Sequence, residues 1–213
     1  MSSDPIAIFS DLLIRGLAHK ATPSSPVFGG AARGGEVIVF RSLEHTFRPL
    51  ERAPNALSQS VGENGSVITF EEFDAVTGGR LDALDITSEV HAVVKASGVE
   101  RGNVLVFSPH TTCCVILTSP GRHTERALER AMAAIAPESD YYAHDDLAVR
   151  TENLVADEPA NAPAHIFHVF AGKASECIPI SDGELVLGDG QHVLFVELDS
   201  ARARRYCIQV VGE

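Results

Sequence analysis

"ECIPISDGELVLGDGQHVLFVELDSARARRYCIQVVG", residues 176–212, holds four strand-like runs: 176–180, 184–188, 192–198 and 205–212. β-Branched and apolar residues dominate the runs, and turn-forming residues separate them. Ser181, Asp182 and Gly183 supply a turn between the first two. Read in order, the four form a meander, which calls for antiparallel pairing.

Upstream, strands and helices mix without a regular βαβ repeat. "SVITFEEFDA" (66–75) alternates as a strand does, and "NVLVFSP" (103–109) and "TTCCVILT" (111–118) read as two more. "DITSEVHAVVKASG" (85–98) reads as a helix. Ile86, Val90, Val93 and Val94 make its apolar stripe, Asp85 or Thr87 its cap and Gly98 its end. "ERALERAMAAIAP" (125–137) is helical up to Pro137, and "APAHIFHVFAG" (162–172) is a helix with Asn161 as N-cap and Gly172 as terminator. Between these two helices, 141–161 reads as a long polar loop. The expected class is α+β, a largely antiparallel sheet with helices packed on one side.

Residues 1–65 differ in character and are read as an N-terminal extension to a domain at 66–213. Within them, "PIAIFSDLLIRGLAH" (5–19) has helix-like apolar spacing, "EVIVF" (36–40) is a short strand, and 21–35 and 52–65 have loop composition. The extension is read as partly disordered with one amphipathic helix. The alternative is a helix that docks on the main domain or on another chain.

Residues 1–65 carry six acidic and six basic side chains, so the whole net charge of −12 falls on 66–213. That surface repels nucleic-acid phosphate, and a nucleic-acid partner is not expected. A small phosphorylated ligand is compatible, because a few local donors override the overall field. No apolar run reaches the roughly 18–20 residues that span a bilayer, so no membrane role is expected. The start lacks a basic segment followed by a clean apolar one, which argues against secretion. Four cysteines without metal-type spacing point to reduced thiols and a cytoplasmic location.

Histidines carry the candidate chemistry. His110 lies between two strand-like runs, His144 opens "HDD" in the long loop, and His165 and His168 share one face of a helix. Three of them meeting would hold a divalent metal or an oxyanion. Taken singly, a histidine serves as well for structural hydrogen bonding. Asp145 can orient an imidazole, and the free N–H groups at Asn161 can hold a phosphate. Cys113 and Cys114 point to opposite faces of a strand, which argues for packing and against a paired thiol site. No GxSxG elbow is present, so a serine-hydrolase reading fails.

The motifs come in a telling order: "LDITSEV" (84–90), "PHTTCCVIL" (109–117), "YYAHDDLAVRTEN" (141–153), "DEPANAPAHI" (157–166) and "IPISDGELVLGDGQHVLFVELDSARARRY" (178–206). In that order they resemble the secondary thiamine-phosphate synthase family of YjbQ-like proteins. The resemblance implies a β-sandwich-like α+β fold assembled as a homotrimer. It implies a transferase that joins a pyrimidine pyrophosphate to a thiazole phosphate. Its pocket would use His110, His144, His165 and Asp145 for catalysis and Thr111, Arg150, Asn161 and Gln191 for substrate. The three histidines would hold a divalent metal ion. Two segments depart from the pattern. Thr118, Ser119 and Pro120 stand where relatives carry an Asn-Glu-Asn-like segment, and Gly190 stands where they place tryptophan. A non-catalytic trimeric protein that binds a small ligand or a metal, and a metal-dependent hydrolase, are the competing readings.

Overall fold

The computed structural model describes residues 56–62, 65–155 and 157–213. The helix read at 5–19 and the strand at 36–40 lie outside the described residues. Two antiparallel sheets carry the fold. The larger comprises β1 (Ala56–Val61), β2 (Val67–Val76), β4 (Arg101–Phe107), β6 (Ser175–Ser181), β7 (Glu184–Leu185) and β9 (Ala203–Gly212), in the order β1-β2-β9-β4-β6-β7. The smaller comprises β3 (Ala83–Asp85), β5 (Cys113–Thr118) and β8 (His192–Glu197), in the order β3-β8-β5. Among the described residues three helices complete it: α1 (Thr87–Ser97), α2 (Arg122–Ile135) and α3 (Ala162–Phe170).

The alternation of β2 and β9 buries one face of each and leaves the other outward. Their buried side chains, Phe73 and Ala75 with Tyr206, Ile208 and Val210, meet Val90, Val93 and Val94 of α1. Val115, Val193 and Phe195 of the small sheet close this core. The small sheet's other face, with Cys114, Leu194 and Val196, is covered by Met132 of α2 and by Ala164 and Phe167 of α3. All three helices thus lie on one side of the large sheet, as the sequence leads one to expect.

The meander does not form. β8 leaves the large sheet and becomes the centre of the small one, and β9 returns to lie between β2 and β4. The difference lies in the patterns: Val193 to Leu198 are buried without a break, as a strand covered on both faces must be, whereas β9 alternates. The run at 184–188 is a strand only at Glu184–Leu185. The loop reading of 52–65 is also corrected, because Ala56–Val61 pairs with β2. The Asp182–Gly183 turn does form, with φ of 54° and 75°, the two positive values of a type I′ hairpin.

α1 ends at Gly98 in the left-handed conformation, as expected. At its start the Thr87 N–H donates to Asp85 Oδ1 at 3.1 Å. Asp85 therefore does the capping, from one residue further out than Ile86, the N-cap position. α3 stops at Phe170 with Ala171 as C-cap, so Gly172 is not its terminator. Gly172 instead allows a close approach, since a Cβ there would lie 3.0 Å from the His168 backbone and 3.1 Å from the Cys114 side chain.

Candidate functional site: a histidine pair at the start of α3

The loop before α3 has no regular structure, and side chains hold its shape. Asp145 Oδ1 accepts the N–H groups of Asn161 and Ala162, both at 3.0 Å, and so ties the loop to the helix start. The same oxygen accepts His144 Nδ1–H at 2.8 Å. Arg150 donates to Glu158 at 2.5 Å, to the Asn153 carbonyl at 2.8 Å and to His144 Nε2 at 3.1 Å. A guanidinium only donates, so His144 Nε2 is an acceptor and its proton sits on Nδ1. The N–H of Val155 and the Arg150 guanidinium both hold the Glu158 carboxyl below the usual range.

His165, on the first turns of α3, lies with its ring centroid 4.7 Å from that of His144. Burial first, with the Arg150 charge adding to it, lowers its pKa below 6.5, while Asp199 pulls the other way. Among the described residues its ring nitrogens have no hydrogen-bond partner. The pair opens on an apolar cleft of about 360 Å³ whose walls include Tyr142, Ile166, Val169 and Phe170. Across Tyr142 lies a second cleft of about 490 Å³, where Asp140, Asp145, Asp146 and Asp199 face Arg80.

His110 belongs to another set of contacts. Its Nε2 accepts the Arg205 N–H at 2.9 Å. Burial first, then Arg204, lowers its pKa. Beneath it lies a charged network that the sequence reading missed. Glu197, fully buried, takes two hydrogen bonds of 2.6 Å from Arg204. Thr77 and the Asp199 N–H bond it at 3.0 Å each and the Cys113 thiol at 3.7 Å, and Arg204 also reaches Thr112. The signal was present: a lone acid in the apolar run "HVLFVEL" demands a buried partner. Asp199 links the two regions, accepting from Asn161 Nδ2 at 2.8 Å.

The remaining candidates fall as follows. Asn161 sits at the N-cap position but makes no cap hydrogen bond with its side chain. The N–H groups read as a phosphate seat are filled by Asp145, so that expectation is corrected. Gln191 is exposed, and its carbonyl oxygen closes its own turn on the Gly188 N–H at 2.9 Å. Thr111 is exposed in the turn before β5. His168 is drawn to the Cys113 carbonyl at 2.7 Å. Cys113 and Cys114 are buried on opposite faces of β5. Desolvation pushes both thiols up, Cys114 to about 12, so neither is a nucleophile near neutral pH.

As arranged, the set does not fit a divalent cation. Both nitrogens of His144 are engaged, and the cationic Arg150 touches one of them. Among the described residues no three His, Cys, Asp or Glu side chains gather into a set able to hold a metal. The Arg150 charge is itself matched by Glu158 at 2.5 Å.

The fold and the motif order have counterparts in known proteins. The profile described as "UPF0047 protein YjbQ-like" matches residues 71–213. The chain belongs to this YjbQ-like family. A UPF0047 protein of Archaeoglobus fulgidus is 30% identical over 140 residues, covering 66% of this chain and 99% of its own. One from Methanothermobacter thermautotrophicus is 29% identical over 143 residues, covering 67% and 92%. A YbjQ-like protein of unknown function from Sulfolobus solfataricus has a solved structure with TM-score 0.61 and 26% identity, covering 70% of this chain and 99% of that one. Family members thus span little more than β2 to β9 of this chain. No helix among the described residues is long and apolar enough to cross a membrane.

Proposed function

We propose that this YjbQ-like protein is a transferase of the secondary thiamine-phosphate synthase type, working at the His144–His165 cleft. The observation that carries the reading is a pair of imidazoles lining an apolar cleft, one of them bonded from behind by the Arg150 guanidinium. Arg150, here paired with Glu158, would turn its charge to an entering phosphate, and Ile166, Val169 and Phe170 offer apolar walls to a flat ring. As the pyrimidine pyrophosphate and the thiazole phosphate join, negative charge grows on the departing pyrophosphate. Arg150 neutralises part of it, and His165, with an open ring edge, supplies a hydrogen bond. Asp145 keeps His144 in one tautomer and pins the loop. The step is written without a metal ion, because the donors as placed do not fit one.

The experiment is calorimetric titration of the full chain with inorganic pyrophosphate, with and without magnesium, followed by chromatography of both precursors for thiamine phosphate. Wild type is expected to bind and turn over. Arg150→Ala should bind at least about tenfold more weakly, the loss of one charge-assisted contact, and His165→Ala should lose turnover. Binding and turnover unaffected by either change would overturn the assignment. A strict magnesium requirement would show that His144 leaves Arg150 to bind metal.

A second reading, a trimeric binding protein without turnover, is favoured by Gln191 folding back on its own turn beside Gly190. Binding of the precursors with no product formed identifies it. In either case a cytoplasmic setting suits the four free thiols.

A further inference from the structure

A second histidine stands in a prepared setting, on strands rather than on α3. His192 opens β8, and its Nδ1 lies 2.6 Å from Asp85 Oδ2. The other oxygen, Oδ1, accepts the N–H and hydroxyl of Thr87 at 3.1 and 2.6 Å. The Thr87 hydroxyl in turn accepts the Val193 N–H at 2.9 Å. Asp85 is therefore locked by the start of α1, and it locks the imidazole. A clamp between β3 and β8 needs only Nδ1. Yet His192 leaves its side chain 38% exposed, and its Nε2 has no hydrogen-bond partner among the described residues. Thr118 is the register partner of His192 on β5, so their side chains share a face. One residue on, Ser119 Oγ pairs with His123 Nε2 at 3.1 Å.

We propose that Asp85 and His192 form a general-base dyad for hydrolysis of a small neutral acyl ester at this end of the small sheet. With Nδ1–H given to the carboxylate, Nε2 keeps a lone pair facing solvent. Nε2 takes a proton from water as the water oxygen bonds to the ester carbonyl carbon, and the carbonyl electrons move onto its oxygen. When they return, the carbon–alkoxide bond breaks and Nε2 gives its proton to the leaving alkoxide. Neutral substrates are favoured because Asp85 is adjacent and the chain carries −12 overall. His192 is the catalytic residue, and Asp85 is its positioning residue.

The test is release of p-nitrophenol from p-nitrophenyl acetate by the full chain. His192→Gln and Asp85→Asn should each lose at least tenfold in rate, while His91→Gln, on exposed α1 surface, should lose nothing. Asp85→Asn keeps an acceptor for Thr87 but donates to Nδ1, so it should move the imidazole proton to Nε2. That shift is read from ¹⁵N resonances and is not produced by a merely structural role. Circular dichroism checks folding of each variant, and Asp85→Asn decides the matter should His192→Gln fail to fold. Wild-type rates matched by His192→Gln, or full rate in Asp85→Asn with the proton shown on Nε2, would overturn the proposal.

Discussion

Glu197 is the residue on which the interior depends most sharply. It is a carboxylate with no exposure, held by a two-bond grip from Arg204. Such a pair adds little net stability, but removing one partner strands the other charge. Arg204→Ala is expected to cost about 3–5 kcal/mol, read from urea unfolding. Glu197 announced itself in the sequence, and its partner was half legible. Arg204 shares parity with Tyr206, Ile208 and Val210, all buried, whereas Arg205 falls on the outward face. The His144–His165 pairing was less legible, because Asp145 draws the loop onto α3 through side-chain contacts that leave no periodic trace. His165 also gives a pH prediction. Its pKa in the folded chain lies below the ordinary 6.5, so between the two values the unfolded chain binds more protons. Stability from this group is full above 6.5 and falls as pH drops through that window. His165→Gln should flatten this part of a urea-midpoint profile measured from pH 7.5 to 5. An unchanged slope would refute it.

At the scale of elements, periodicity carried most of the reading. α1, β2 and β9 have one buried side each, and their sequences say so. β1 was missed because Ser58, Gln59 and Ser60 are polar and exposed along an edge strand, which needs only one neighbour. The placement of β8 depended on burial from two sides, a tertiary fact. One close contact between strands was also invisible. Gly102 of β4 faces Gly212 of β9 across the ladder, and a Cβ on Gly102 would collide with the Val211 carbonyl and the Gly212 Cα. Backbone cannot swing aside as a side chain does. Gly102→Ala is therefore expected to cost at least about 1–3 kcal/mol, the usual scale of overpacking, and to lower the melting temperature. A melting curve superimposable on wild type would mean that the strands separate freely there.

For the molecule as a whole, the large sheet's outward face poses the remaining problem. An antiparallel sheet facing water normally shows polar residues there, yet Ile68, Leu105, Phe107 and Val211 are all outward and exposed. Register puts Ile68 opposite Val211 on β9, while on β4 Leu105 lies opposite Gln209 and Phe107 opposite Cys207. Exposed apolar surface gathered on one face suits an interface, and we propose that the homotrimer implied by the family resemblance would use this face. The net charge of −12 sharpens the argument. Copies with that charge repel at long range, so their association must rest on apolar contact and should strengthen with salt rather than weaken. Light scattering on the eluting peak is expected to give three times the chain mass of 22.7 kDa. Phe107→Glu places a charge on the face without touching the core and should reduce the peak to a single chain of unchanged circular dichroism. A wild-type peak at one chain mass, at any salt concentration, would leave the apolar face without its proposed partner and remove the trimer from the account.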